Sequence, residues 1–181
     1  MTVQASGAVS TDRAQVGAGQ LSLSAASLSN HGGTVSQTGN GATGAMTLNT
    51  SGAIDNTGGT ISSNGQTVTL QSGSLTNADG AITQAGTGAL TLSTGTLDNS
   101  GGTIGTHAQA TVTASSVDNR RGTITSDQAL AVKASGNLDN TYRANKRCQY
   151  RKFLDGKELP KQEGAEGSVG VAGLEKEKLA A

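Results

Sequence analysis

The chain has 181 residues, 33% of them hydrophobic, with 27 Gly, 1 Pro, 1 Phe, 2 Tyr and no Trp. This composition excludes a compact aromatic core, and 14% charged residues is also unlike the charge-rich, Pro-rich make-up of disordered chains. Net charge is zero, but residues 1–140 carry 4 Lys or Arg against 7 Asp or Glu, and residues 141–181 carry 9 against 6, so the larger part offers no basic surface for nucleic acid.

The chain opens on Met1-Thr2-Val3-Gln4-Ala5, without the basic and apolar regions of a signal peptide. No apolar run reaches the length of a membrane span. A degenerate octet follows, Val9-Ser10-Thr11-Asp12-Arg13-Ala14-Gln15-Val16. Fuller copies are Leu28-Ser29-Asn30-His31-Gly32-Gly33-Thr34-Val35 and Ile54-Asp55-Asn56-Thr57-Gly58-Gly59-Thr60-Ile61. Further copies start at Leu75, Leu97 and Val117, and one broken off after Asn140 starts at Leu138. The consensus is aliphatic-x-Asn-x-x-Gly-x-aliphatic. Its Asn falls at 30, 56, 77, 99, 119 and 140, in steps of 26, 21, 22, 20 and 21.

Between the octets lie alternating segments: Leu21-Ser22-Leu23-Ser24, Met46-Thr47-Leu48-Asn49, Val68-Thr69-Leu70-Gln71, Leu90-Thr91-Leu92-Ser93 and Leu130-Ala131-Val132-Lys133. Aliphatic residues at every second position predict strands buried on one face. Each unit therefore holds two strand signals joined by Gly- and Asn-rich turns. The units are too short for a strand-helix-strand crossover. One solenoid turn per unit solves this, with equivalent strands paired in parallel about 4.8 Å apart. Leu97 then stacks on Leu75 and Val117, and Leu70 on Leu92. The prediction is an all-β parallel β-helix of about six 20–22-residue coils over residues 1–140.

The same geometry gives the octet its candidate site residues. Asn30, Asn56, Asn77, Asn99, Asn119 and Asn140 form a turn column, each able to bond its own or an adjacent coil. Gly33, Gly59, Gly80, Gly102 and Gly122 either supply a positive φ or let the chain pass closely. Both roles are structural.

Residues 141–181 form a charged non-repeat tail with all the aromatics, the lone Cys148 and Pro160. Tyr142–Leu159 reads as a marginal helix and Leu174–Ala180 as a short helical tract. The tail is either disordered or loosely docked, or the out-of-frame product of an interrupted gene.

Other motifs carry little chemistry. Gly39-Asn40-Gly41-Ala42-Thr43-Gly44 spells GxGxxG, but the following residues read as a strand rather than the helix a dinucleotide site needs. Asp98, Asp118 and Asp139 share one unit position. Such a column can be a glycosidase pair, a weak cation site, or solvent-facing Asx turns, and the turn reading is preferred. His31 and His107 have no spaced metal partner, and one Cys makes neither a disulfide framework nor a metal site. Asn49-Thr50-Ser51 is a sequon on a strand, and Arg120 and Arg121 lie beside Asp118. Neither cofactor nor metal nor enzymatic activity is expected.

These octets, with their Leu-Thr-Leu strands, resemble the haemagglutinin repeats of filamentous-haemagglutinin-type exoproteins over about residues 9–140. Those exoproteins are the secreted partners of bacterial two-partner secretion systems. The resemblance implies a right-handed parallel β-helix, export through an outer-membrane transporter, and a place in an extended cell-surface or secreted fibre that meets host-cell or neighbouring-cell receptors. It transfers no catalytic residues. The family's N-terminal secretion domain is not recognisable, so the chain is not expected to be secreted by itself. The expected function is a structural stalk segment of an adhesin. A contact-dependent growth-inhibition stalk is the alternative, and a polysaccharide-active enzyme the third reading. The open ends of the β-helix are expected to self-associate.

Overall fold

A strand with aliphatic residues on one face and Thr or Ser on the other must cover its apolar face with a neighbour. Here the neighbours are the next repeats of the same chain. A computed structural model describes residues 1–39 and 44–141 in full, and the backbone course of 153–154, 157–158 and 168–171. The described repeats contain no helix.

The first coil holds β1 (Thr2–Gln4), β2 (Ala8–Ser10) and β3 (Gln15–Ala18). The second holds β4 (Leu21–Ala25), β5 (Ser27–Ser29) and β6 (Thr34–Gln37), and the third β7 (Ala45–Thr50), β8 (Ala53–Asp55) and β9 (Thr60–Ser63). In the next three coils the first two segments merge into one strand. They hold β10 (Thr67–Thr76) and β11 (Ala81–Gln84), β12 (Leu90–Asp98) and β13 (Thr103–Thr106), then β14 (Ala110–Asp118) and β15 (Thr123–Ser126). The repeats end on β16 (Leu130–Ala134) and β17 (Leu138–Asp139).

All pairing between coils is parallel. One sheet runs β1-β4-β7-β10-β12-β14-β16, with β2, β5, β8 and β17 alongside, and the other runs from β3 through β6, β9, β11 and β13 to β15. Equivalent residues are in register: Leu70 beside Leu92, Leu75 beside Leu97, Leu97 beside Val117, Ile82 beside Ile104. The solenoid of stacked coils is thus present.

The first three coils have three strand segments each where two are expected, and the next three have two strands each. The chain bends between the Leu-Thr-Leu run and the first octet aliphatic without leaving the sheet, so one sequence signal covers two structural segments. The long step of 26 is absorbed mostly in the connection between β6 and β7, so the stack continues undisturbed beyond it.

The core is a narrow column of single aliphatic layers. Leu28, Met46, Leu48, Ile54, Leu70, Ile82, Leu92 and Ile104 are each no more than 1% exposed. Burying one such side chain contributes about 1.5–3 kcal/mol, and no coil could achieve it alone.

Beyond the repeats, β18 (Phe153–Leu154) and β19 (Lys157–Glu158) pair antiparallel, and β20 (Ser168–Val171) runs parallel to β15. The marginal helix read over Tyr142–Leu159 is therefore not present at those positions. The sequence between the two strands is Asp155-Gly156, a dipeptide that favours two-residue hairpins and disfavours a helix interior. The helical tract at Leu174–Ala180, Cys148 and Asn40–Thr43 of the GxGxxG spelling lie outside the described residues.

Candidate functional site: two polar columns at the corners of the coil

The octet is the corner between the two sheets. Its Asn turns inward, because it lies two residues after a buried aliphatic on the same strand face. Asn30, Asn56, Asn77, Asn99 and Asn119 are at most 1% exposed, and Asn140 is 7% exposed. They form a continuous ladder. Each Nδ2 donates to the Oδ1 of the next: Asn30 to Asn56, Asn56 to Asn77 and Asn77 to Asn99 at 2.7 Å, then Asn99 to Asn119 and Asn119 to Asn140 at 2.6 Å. The same amides donate to the carbonyl of the turn glycine, as Asn99 does to Gly102 at 3.3 Å.

The degenerate first copy joins the column. Thr11 fills the Asn slot and its hydroxyl donates to Asn30 Oδ1 at 2.8 Å. At the other end, Asn140 Nδ2 is buried and has no hydrogen-bond partner.

Of the two roles weighed for the octet glycine, close passage is the one the geometry requires. Gly33, Gly59, Gly80, Gly102 and Gly122 do not have positive φ. A Cβ on Gly59 would lie 2.1 Å from the Asn30 carbonyl oxygen of the coil beneath, and one on Gly102 would lie 2.0 Å from that of Asn77. The left-handed residue is the one before: Gly32, Gly58 and Gly101, but Arg13, Asp79 and Arg121 in the other coils, all with φ between 52° and 67°. Left-handed backbone at one exposed corner position costs only about 1–2 kcal/mol for a non-Gly residue. A side chain pressed into a carbonyl has no relief, which explains why the slot is Gly at 33, 59, 80, 102 and 122, where a coil lies beneath, and Ala14 in the first coil, while Gly is optional at the neighbouring slot.

A second polar column lies at the far end of the second sheet, and the octet consensus did not reach it. Gln37, Ser63, Gln84, Thr106 and Ser126 are all buried. Ser63 donates to Gln37 Oε1 at 2.7 Å and Thr106 to Gln84 Oε1 at 3.0 Å. Gln84 Nε2 donates to the Gly65 carbonyl at 2.8 Å. The signal was present in sequence: each residue stands two positions after the octet's last aliphatic, as in Ile82-Thr83-Gln84, and shares its inward face.

The carboxylates at the outer corner are occupied locally. Asp55, Asp98, Asp118 and Asp139 each accept the backbone N–H two residues on, at 2.9–3.1 Å. Arg120 clasps Asp118 with Nη2 at 2.6 Å and Nε at 2.9 Å, and its Nε lies 3.9 Å from Asp139. The guanidinium holds the Asp118 carboxyl below its ordinary range and is itself raised by it. Asp12 is lowered by the Ser29 hydroxyl and the His31 N–H. His31 and His107 are both exposed, on different coils, and Asn49 is an exposed residue of β7. Among the described residues no cluster of His, Cys, Asp and Glu has metal-binding geometry. An open groove of about 560 Å³ follows the bend after β4, lined by small groups such as Ala25, Thr50, Ser72 and Gly73. What these arrangements do chemically is hold one coil on the next.

Comparison with known families matches residues 85–141 to the haemagglutinin repeat. The match spans the octets beginning at Leu97 and Val117 and the start of the one at Leu138. The same comparison found no match among curated proteins or solved structures.

Proposed function

From a chain that carries haemagglutinin repeats of the filamentous-haemagglutinin type, we propose a non-enzymatic stalk segment of a secreted bacterial adhesin. The observation that carries this reading is the parallel register that runs from β1 to β16, with the Asn ladder bonded from coil to coil along it. A rod of this kind transmits distance. Seven strands about 4.8 Å apart make a stack of about 30 Å. In the parent protein it would lie outside the cell, exported through an outer-membrane transporter, and hold more distal sites towards host or neighbouring cells. Asp98, Asp118 and Asp139 support a structural role, because each spends a carboxylate oxygen on its own turn.

The test has two readouts on the full chain. Binding to epithelial cells should not saturate, and pectin-like and glycosaminoglycan polymers should stay uncut. Saturable cell binding would move receptor recognition into this segment. Cleavage abolished by Asp118→Asn would replace the stalk reading with a hydrolytic one.

A further inference from the structure

The octet that breaks off after Asn140 resumes further along the chain. In the octets from Leu28 to Val117, Gly stands three residues after the Asn and the aliphatic five after it. The strand of the second sheet starts between them, as Gly102-Thr103-Ile104-Gly105 does after Asn99. After Asn140 the same places fall to Arg143, Ala144 and Asn145. Arg143 cannot fill the glycine place. A Cβ at Gly59, Gly80, Gly102 or Gly122 would press into the Asn carbonyl of the coil beneath, and the equivalent carbonyl for Arg143 is that of Asn119. Asn145 would put an amide into a column that otherwise holds Val16, Val35, Ile61, Ile82, Ile104 and Ile124.

Gly167-Ser168-Val169-Gly170 restores the pattern and matches Gly102-Thr103-Ile104-Gly105 place for place. The backbone agrees with it. Ser168, Val169, Gly170 and Val171 pair in parallel with Thr123, Ile124, Thr125 and Ser126. This is the register in which β15 itself pairs with β13. Val169 therefore takes the next register position of the Val and Ile column, and Val171 that of the second polar column. A Val is compatible there. The Ser126 hydroxyl lies within hydrogen-bond distance of the Ala108 and Ala129 carbonyls and needs nothing from a further coil.

We infer that β20 is the third strand of the seventh coil, completing the turn that β16 and β17 begin, and that residues 143–166 are an insertion at its Asn corner. The β18–β19 hairpin belongs to this insertion. The entropy of closing a loop grows only with the logarithm of its length, and the corners of a solenoid accept insertions without disturbing the stack. The repeat region thus continues to Val171 rather than giving way to an unrelated tail after Asn140. Edge protection follows from it, since β20 covers N–H and C=O groups of β15 that an unpaired edge would offer to other chains. This inference stands whether or not the stalk reading holds.

Hydrogen exchange of the full chain, read by NMR at single amides, tests it. In the second sheet the first residue of each strand donates its N–H to the coil beneath, as Thr123 does to Gly102. Alternate residues face the same way, so the amides of Ser168 and Gly170 face β15, and those of Ile124 and Ser126 face β20. All four should exchange at least about a hundredfold more slowly than in an unstructured peptide. Val169→Asp, which puts a charge at a position of the Val and Ile column, should abolish that protection, while Ile61 and Ile82 keep theirs and show the variant folded. Deleting residues 143–166 rebuilds a full octet, Leu138-Asp139-Asn140-Thr141-Tyr142-Gly167-Ser168-Val169, and should keep all four amides protected. Deleting 141–166 leaves the corner too short and should lose them. Free exchange of Ser168 and Gly170 in the wild type would overturn the inference. So would protection that survives Val169→Asp or the 141–166 deletion, or protection lost when 143–166 are removed.

Discussion

Asn77 and Asn99, twenty-two residues apart, share a 2.7 Å hydrogen bond from Nδ2 to Oδ1, and neither side chain is exposed. Each amide is donor to the coil above and acceptor from the coil below. A buried polar group that loses its partner costs about 1–3 kcal/mol, so the ladder penalises any gap in itself.

Removing a middle rung should therefore cost more than removing the end. Asn99→Leu leaves both Asn77 Nδ2 and Asn119 Oδ1 short of a partner, a loss of about 3 kcal/mol. Asn140→Leu leaves only Asn119 Nδ2 short and should cost about half as much. Urea unfolding followed by circular dichroism measures both. Equal losses would mean that the ladder is not the stabilising element.

Two adjacent glycines should respond to alanine for different reasons. At Gly58, φ is +59° and nothing lies within 4 Å of a new Cβ, so Gly58→Ala should cost about 1 kcal/mol. At Gly59 the Cβ would meet the Asn30 carbonyl at 2.1 Å, and Gly59→Ala should cost more than about 3 kcal/mol or open the stack. Thermal melts of the pair provide the comparison. A Gly58→Ala loss as large as that of Gly59→Ala would refute the close-approach account.

The second column should matter less than the first. Gln84→Leu strands the Gly65 carbonyl and the Thr106 hydroxyl, but a hydroxyl can rotate to another acceptor. A loss of about 2 kcal/mol, smaller than that of Asn99→Leu, is expected in the same urea titration.

Acid should reach the Asp118–Arg120 corner late. The folded carboxyl is lowered chiefly by the Arg120 side chain. A depressed folded value means the contribution is present above the unfolded value of 3.8 and is lost as pH falls through the lower folded value. Arg120→Ala should raise the Asp118 midpoint in a carbon-detected NMR titration. Its effect on stability should be small, since the guanidinium is solvent-exposed. An Asp118 midpoint unmoved by the substitution would show that the turn alone sets it.

The repeats were legible because a solenoid writes its tertiary contacts at a fixed sequence interval. Period-two aliphatics give the strands, the recurring Asn gives the corner, and the step of about 21 residues aligns Leu75 with Leu97. The break that splits the strand in the first three coils, as between β4 and β5, is not legible, because the small residues there read as extended. Nor was the glycine's role: at Gly102 the obstacle is the carbonyl of Asn77, which only the coil beneath brings within reach. The second polar column stood in the sequence as aliphatic-x-polar, unread because polar residues on a strand are assigned to water unless something covers them.

By itself, then, the sequence determined the period, the strands and the residues that repeat, since local alternation and turn chemistry act over a few bonds. The stacked structure decided what closes against what. It set the direction of the Asn ladder, the carbonyl that forbids a side chain at Gly59, and the donor left over at Asn140. Each of these depends on a neighbour about twenty residues away, and that neighbour arrives only when the coils stack.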